Sequence, residues 1–264
     1  MLPGRTLEFV GAKHVLALTR SENSMPHSYT VMICVSPGKF PPVLFLTLQE
    51  DKGVLGPIVK RAMYKTRNLH VIASTSGKMT EQLLIEWCEK VFFPHMHHYC
   101  IFLAEFWPTF ADEDVVEEIK PGELEYEIIT IPPKVTSQIQ PLDVLCFRMY
   151  KGYFRKISNW IFLNDQPGQV HHRDLIIKLH SLIYQQFTSP RFQNLIEQGW
   201  HLSGYINKSF TSVNPTEFSF DGLTGHCDHD SCSRSLLLKF GWCKAPLCFH
   251  HFRERYHFCK MYLP

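Results

Sequence analysis

Apolar residues gather along this chain either in short β-branched runs or in repeats of three and four, and each pattern predicts an element. Ile128, Ile129 and Ile131 are β-branched and flanked by turn formers, which predicts a strand. Pro132 and Pro133 stop it, because neither can donate to a ladder. After a polar loop from Lys134 to Gln140, a helix is predicted to open at Pro141, where a missing N–H costs little. Its apolar positions, Leu145, Met149, Tyr153, Ile157 and Trp160, recur by four or three. Upstream, Tyr29–Val35 and Pro42–Thr47 predict a β-hairpin around a Ser36–Lys39 turn. Val71–Ala73 reads as a short edge strand, Tyr99–Leu103 as a further strand, and Thr6–Val10, framed by Gly4 and Gly11, as a short one. Residues 76–93 carry Met79, Leu83, Trp87 and Val91 four apart, with Thr80 as a candidate N-cap and Pro94 as the stop. A short acidic helix over 111–120, a helix over about 170–187 and another from Ser189 to about Glu197 complete the elements. The Asp112 and Asp114 carboxylates, and Lys60, Arg61, Lys65 and Arg67, read as solvated charges. His171 and His172 read as loop residues.

Composition narrows the class. A chain of 264 residues, 45% hydrophobic with 20 Phe, has the material for a packed core. No apolar run approaches the ~20 residues that span a bilayer. Met1–Arg5 lacks the basic-then-apolar pattern of a signal peptide, so an intracellular chain with reduced cysteines is expected. The net charge of +2 is small for a nucleic-acid binder.

The candidate chemistry begins at Asp143. It falls in the first turn of the central helix, where a carboxylate suits the positive helix end. A strand, a loop and a helix opening with an acid also make a metal-ligand geometry, and periodicity leaves both readings open. Ile131-Pro-Pro-Lys-Val-Thr-Ser-Gln-Ile-Gln-Pro-Leu-Asp143, followed by Phe147 and Lys151, resembles the PPxxTSxxQPLD signature of the pogo/Tigger transposases. These belong to the DDE superfamily of endonucleases. The resemblance covers roughly residues 5–205. It implies an α/β, ribonuclease-H-like fold: a mixed sheet with flanking helices. It also implies that Asp143 is the third acid of a catalytic triad.

The same resemblance sets expectations for the other two acids. Residues 1–20 look like the segment that follows the first catalytic Asp in the family, so the first acid and its strand are expected to be missing, together with the DNA-binding helix-turn-helix domains. The helix over 76–93 looks like the one before the second catalytic strand. In the family that strand ends in an acid; here the matching position is Ala104, and Glu105 is one step on. A one-residue shift turns a strand side chain to the opposite face. Glu105 is therefore the substitute candidate, pointing away from Asp143 unless the strand has already ended. DDE enzymes use carboxylates to hold two divalent metals, and Asp143 alone cannot cage two Mg²⁺ ions. The expected protein is a DNA-binding, nuclear, transposase-derived chain without strand transfer, contacting DNA through Lys134, Arg148, Lys151 and Arg155. The competing reading is an active Mg²⁺-dependent endonuclease using Asp143, Glu105 and a third acid such as Asp51.

The end of the chain carries different chemistry. Residues 206–225 are rich in Ser, Asn, Thr and Gly and read as a linker between the first domain (1–205) and a Cys/His-rich module (226–264). There Cys227, Cys232, Cys243, Cys248, His251, His257 and Cys259 offer the thiolates and imidazoles that Zn²⁺ prefers. Disulfides and an unstructured tail with free thiols are the alternatives. The tail resembles the small Cys/His fingers that end some DNA transposases. Against that pattern Phe240 stands where a cysteine would complete C-x2-C with Cys243. Either one ligand is lost, or Cys259 with His226 or His229 takes its place. Such a module binds DNA or protein partners, and without either the chain would be a transposon remnant.

Overall fold

The computed structural model describes residues 28–105, 113–164, 172–254, 257 and 259. The strand expected at Thr6–Val10, Asp112 and His171 lie outside them.

The predicted hairpin is present. β1 (Tyr29–Met32) runs antiparallel to β2 (Leu44–Gln49). Ser36 and Lys39 exchange backbone hydrogen bonds at 3.1 Å across the turn, and Gly38 takes φ 86° there. A short helix, α1 (Pro57–Ala62), leads to β3 (Leu69–Ser74), which pairs parallel with β2. β3 is an edge of this three-stranded sheet, in the order β1-β2-β3. It spans Leu69–Ser74, longer than the sequence predicts.

Alternation along β2 divides the interior into two layers. Leu44, Leu46 and Leu48 face one apolar cluster, while Phe45 faces the other. The second cluster is closed by α2 (Glu81–Trp87), whose Leu83, Leu84 and Trp87 are buried. Thr80 caps it, its hydroxyl accepting from the Leu83 N–H at 3.4 Å. The predicted helix then widens into a π turn at Cys88–Phe92 and tightens into a 3₁₀ turn at Phe93–His95, bringing Phe92 against Trp87 at 5.3 Å. β4 (Tyr99–Glu105), α3 (Glu113–Ile119) and β5 (Glu125–Ile131) follow. β4 and β5 pair parallel, and Cys100, Phe102 and Tyr126 pack on the same cluster as Phe45. The two sheets therefore share a core although, among the described residues, no ladder joins them.

The loop read as polar from Lys134 to Gln140 contains one helical turn, α4 (Thr136–Ile139). The central helix begins as a π turn, Leu142–Cys146, and continues as α5 (Phe147–Leu163). Its buried stripe is Leu145, Tyr150, Tyr153, Ile157 and Ile161, with Met149 and Trp160 half-buried at the margins. α6 (Arg173–Phe187) lies in the middle of the larger cluster and is buried almost all round. A 3₁₀ turn at Pro190–Phe192, capped by Ser189, leads into α7 (Gln193–Leu202).

The stretch read as a linker is structured in part. Asn214 caps α8 (Pro215–Phe220), accepting from the N–H groups of Thr216 and Glu217 at 3.0 and 3.5 Å. An Asn-Pro start is a helix signal that the polar composition obscures. Tyr153 donates to Ser219 at 3.1 Å, and Phe220 lies edge-on to Tyr153 at 4.9 Å. The tail supplies β6 (Leu236–Lys239), antiparallel to β7 (Pro246–Cys248), and α9 (Phe249–Arg253). Leu237, Leu238, Phe240, Leu247, Phe249 and Phe252 are buried in the same cluster as α5 and α6. The tail thus shares the main core. Gln186 Oε1 accepts from the Gly241 N–H at 2.7 Å, and Trp242 Nε1 donates to the Gln185 carbonyl at 2.7 Å. No helix among the described residues is long and apolar enough to cross a membrane.

Candidate functional site

Two places hold the chemistry-bearing residues, and they differ in how their ligands are arranged. The first is the N-terminal head of the central helix. β5 ends at buried Ile131, Pro132 and Pro133 break the ladder, and Lys134 turns the chain with φ 72°. A left-handed lysine is uncommon and costs on the order of 1 kcal/mol. α4 then delivers the chain to the π turn that carries Asp143 in its first turn. This head is pinned by α7. Gly199 lies so close that an added Cβ would sit 3.1 Å from the Pro141 carbonyl and 3.6 Å from Cys146 Sγ.

Ala104, the residue that the resemblance sets against the family's second acid, lies on β4 opposite Thr130 of β5 and is only 3% exposed. Glu105, opposite Ile131, is exposed. The pleat thus sends Glu105 to the other face from Ala104. Among the described residues, no group of three close His, Cys, Asp or Glu ligand atoms includes Asp143, Glu105 or Asp51. Further along α5, Arg148, Lys151 and Arg155 are all exposed. Spacings of three and four put them on one helix face. Lys151 Nζ lies 5.3 Å from the Phe147 ring centroid. Lys134 is exposed as well.

The second place is the tail, where ligand atoms converge. Cys227, Cys232, Cys248 and His251 bring one donor each within 4.8 Å of one another. Cys227 Sγ is 3.1 Å and Cys248 Sγ 3.4 Å from His251 Nδ1, and Cys232 Sγ is 3.8 Å from Cys248 Sγ. A tetrahedral Zn²⁺ with Zn–S ~2.3 Å and Zn–N ~2.0–2.1 Å requires S···S edges of ~3.8 Å and S···N edges of ~3.6 Å. The donor set fits. A disulfide needs ~2.05 Å between sulfurs, and all nine cysteines are free. The Cys248 N–H donates to Cys227 Sγ at 3.4 Å, a bond that suits a thiolate. The fourth ligand comes from α9, directly after β7, which carries the third.

Cys243, His257 and Cys259 form a second group, also within 4.8 Å of one another, with Cys243 Sγ 3.2 Å from His257 Nε2. All seven cysteines and histidines singled out from sequence therefore converge, but in two sets. Phe240, at the position where the finger pattern has a cysteine, is 1% exposed and packs edge-on to His257 at 4.8 Å. Burial pushes the Cys243 and Cys248 thiols up, and the neighbouring Cys259 and Cys227 sulfurs add to this. The Arg234 backbone N–H holds the Cys232 thiol low. Burial pulls His257 down, which favours the neutral, ligating imidazole.

The comparisons with known proteins agree with both regions. The family model described as DDE superfamily endonuclease matches residues 27–201, about two thirds of the chain. The one described as Tc5 transposase C-terminal domain matches residues 200–259, from the end of α7 through both Cys/His groups. No curated protein and no solved structure matches. The mixed α/β architecture is that of a ribonuclease-H-like DDE domain, with the Cys/His clusters in its C-terminal region. The chain belongs to the DDE superfamily of endonucleases, as a transposase-derived protein of the pogo/Tc5 type.

Proposed function

We propose that this chain is a nuclear, DNA-binding protein that does not transfer strands, with a structural zinc ion in its tail. The observation that carries the DNA-binding reading is the exposed face of Arg148, Lys151 and Arg155 on α5, with Lys134 exposed in the turn before Asp143. Exposed cations at helical spacing meet successive phosphates without reading bases.

The loss of catalysis rests on the triad. Ala104 offers a methyl where the family's second acid stands, and Glu105 lies on the other face of β4. Asp143 alone supplies at most two oxygens, too few to hold a pair of Mg²⁺ ions. Zinc belongs to Cys227, Cys232, Cys248 and His251: four protein donors close the shell, leaving no position for water or substrate, so its role is folding.

Salt-dependent binding to duplex DNA tests the reading. Replacing Arg148, Lys151 and Arg155 together with Gln is expected to weaken binding at every sequence and to lower the slope of log K against log salt by roughly 3. Unchanged affinity and slope would remove these residues from the interface. No DNA binding by the parent chain would leave a zinc module for protein partners as the better reading.

A further inference from the structure

We infer that the tail binds a second zinc ion through Cys243, His257, Cys259 and His229, and that its ligands interleave with those of the first. This rests on the zinc reading of the first cluster and adds a site to it. The second group has three donors within 4.8 Å, one short of a closed tetrahedron. His229 is the residue poised to complete it. Its Nε2 is buried with no hydrogen-bond partner, a costly arrangement for an imidazole nitrogen unless a ligand satisfies it. Its ring lies 6.0 Å from the His257 ring, edge to face. Two imidazoles on one tetrahedral zinc hold their ring centroids roughly 5 Å apart, from Zn–N of ~2.0–2.1 Å. A shift of about 1 Å therefore brings His229 into the shell.

The position of His229 explains why it serves the second ion although Cys227 and Cys232 on either side serve the first. Its ring stacks on His251 at 3.7 Å. His251 gives Nδ1 to the first cluster, so the stacked pair forms a partition, one imidazole for each ion. In chain order the ligands read Cys227 for the first ion, His229 for the second, Cys232 first, Cys243 second, Cys248 and His251 first, His257 and Cys259 second. Neither set is contiguous. Each ion closes loops that overlap those closed by the other.

Metal content of the intact chain, purified without chelator, tests this by elemental analysis and native mass spectrometry. The expected result is two zinc ions per chain. Cys232→Ser removes the first site and Cys243→Ser the second. Cys259→Ser, near the end of the chain, provides a second-site variant that spares the β6–β7 core. His229→Ala is expected to keep the first ion and to lose the second to a competing chelator at least tenfold more readily. Substitution with Co²⁺ reads the same sites by colour: the thiolate charge-transfer intensity per chain falls in Cys259→Ser while the first site's band persists. One zinc per chain, lost in Cys232→Ser but retained in Cys243→Ser and Cys259→Ser, overturns the second site and leaves the first. Two zincs with unchanged chelator resistance in His229→Ala overturn the role of His229. No zinc at all overturns both.

Discussion

The head of α5 and the Cys/His tail each present side chains of the types that ligate metals, yet they are built on opposite plans. At the head, Asp143 stands on a firmly packed scaffold, pinned by α7 through Gly199, and the partner position on β4 is a buried methyl. In the tail, the scaffold is short strands and one turn of helix, but seven donors gather in two groups. A motif can thus be kept for its packing, whether or not the chemistry that the family builds on it is kept. The PPxxTSxxQPLD stretch ends a strand, turns the chain and starts the core's central helix, tasks that remain whether or not a metal is held. The tail has no such independence: its donors sit on short elements whose apolar residues belong to the main cluster.

Removing zinc gives the largest expected effect. Structural zinc contributes apparent binding energy on the order of 10 kcal/mol, and the tail shares the main cluster through Phe240, Leu247 and Phe252. Stripping the metal with a strong chelator is expected to expose that apolar surface and to lower the unfolding midpoint of the whole domain. Dye binding and circular dichroism measure both. A tail that melted alone, with the main transition unmoved, would break the comparison by making the module separable.

A second test sits in the shared core. Burial holds His180 down to about 3, neutral beside Tyr150, whose hydroxyl lies 2.9 Å from Nδ1. Unfolded, the imidazole titrates near ~6.5. Because the folded value is depressed, the unfolded chain binds the extra proton between these values, and stability falls as pH drops from about 6.5 towards 3. The slope is about 1.4 kcal/mol per pH unit, absent above pH ~6.5. His180→Gln is expected to lack that slope in its own curve of stability against pH, so that the difference from the parent carries it. Equal slopes would mean that His180 is solvated.

A smaller effect is expected at the head. Gly199→Ala forces a Cβ against the Pro141 carbonyl and is expected to cost about 1–3 kcal/mol, the range for overpacking. Asp143→Asn removes only a first-turn carboxylate, worth about 0.3–1 kcal/mol. Denaturant titration of the two variants ranks packing against charge at this site. An Asp143→Asn penalty above that of Gly199→Ala would indicate that the carboxylate has a partner.

Much of this was legible in the sequence, for identifiable reasons. Apolar and β-branched runs bounded by turn formers marked the hairpin and β4–β5, and spacings of three or four marked α2, α5 and α6. Burial agrees at Leu145, Tyr153 and Ile157, where one helix face meets the core. The one-residue offset between Ala104 and Glu105 already implied opposite faces. Less visible were features that depend on distant contacts. The π turns at Cys88–Phe92 and Leu142–Cys146 keep helical periodicity nearly intact, so no local signal marks them. α8 lay within a polar stretch, betrayed only by Asn214-Pro215. Donor types announced the candidate zinc ligands, but their division into two sets is set by the tertiary fold, which spacing does not encode. His229 was visible in the sequence as one of two alternative ligands, with His226; its buried, unbonded nitrogen singles it out.

The central claim is that the metal chemistry of this chain resides in the tail and not at Asp143. Electron paramagnetic resonance titration of the zinc-loaded protein with Mn²⁺, comparing the parent with Asp143→Ala, addresses it directly, with plasmid nicking followed in the same samples. The account predicts identical, unsaturated binding in both proteins and no metal-dependent nicks. A saturable Mn²⁺ site that vanishes in Asp143→Ala, accompanied by nicks that vanish with it, would contradict it.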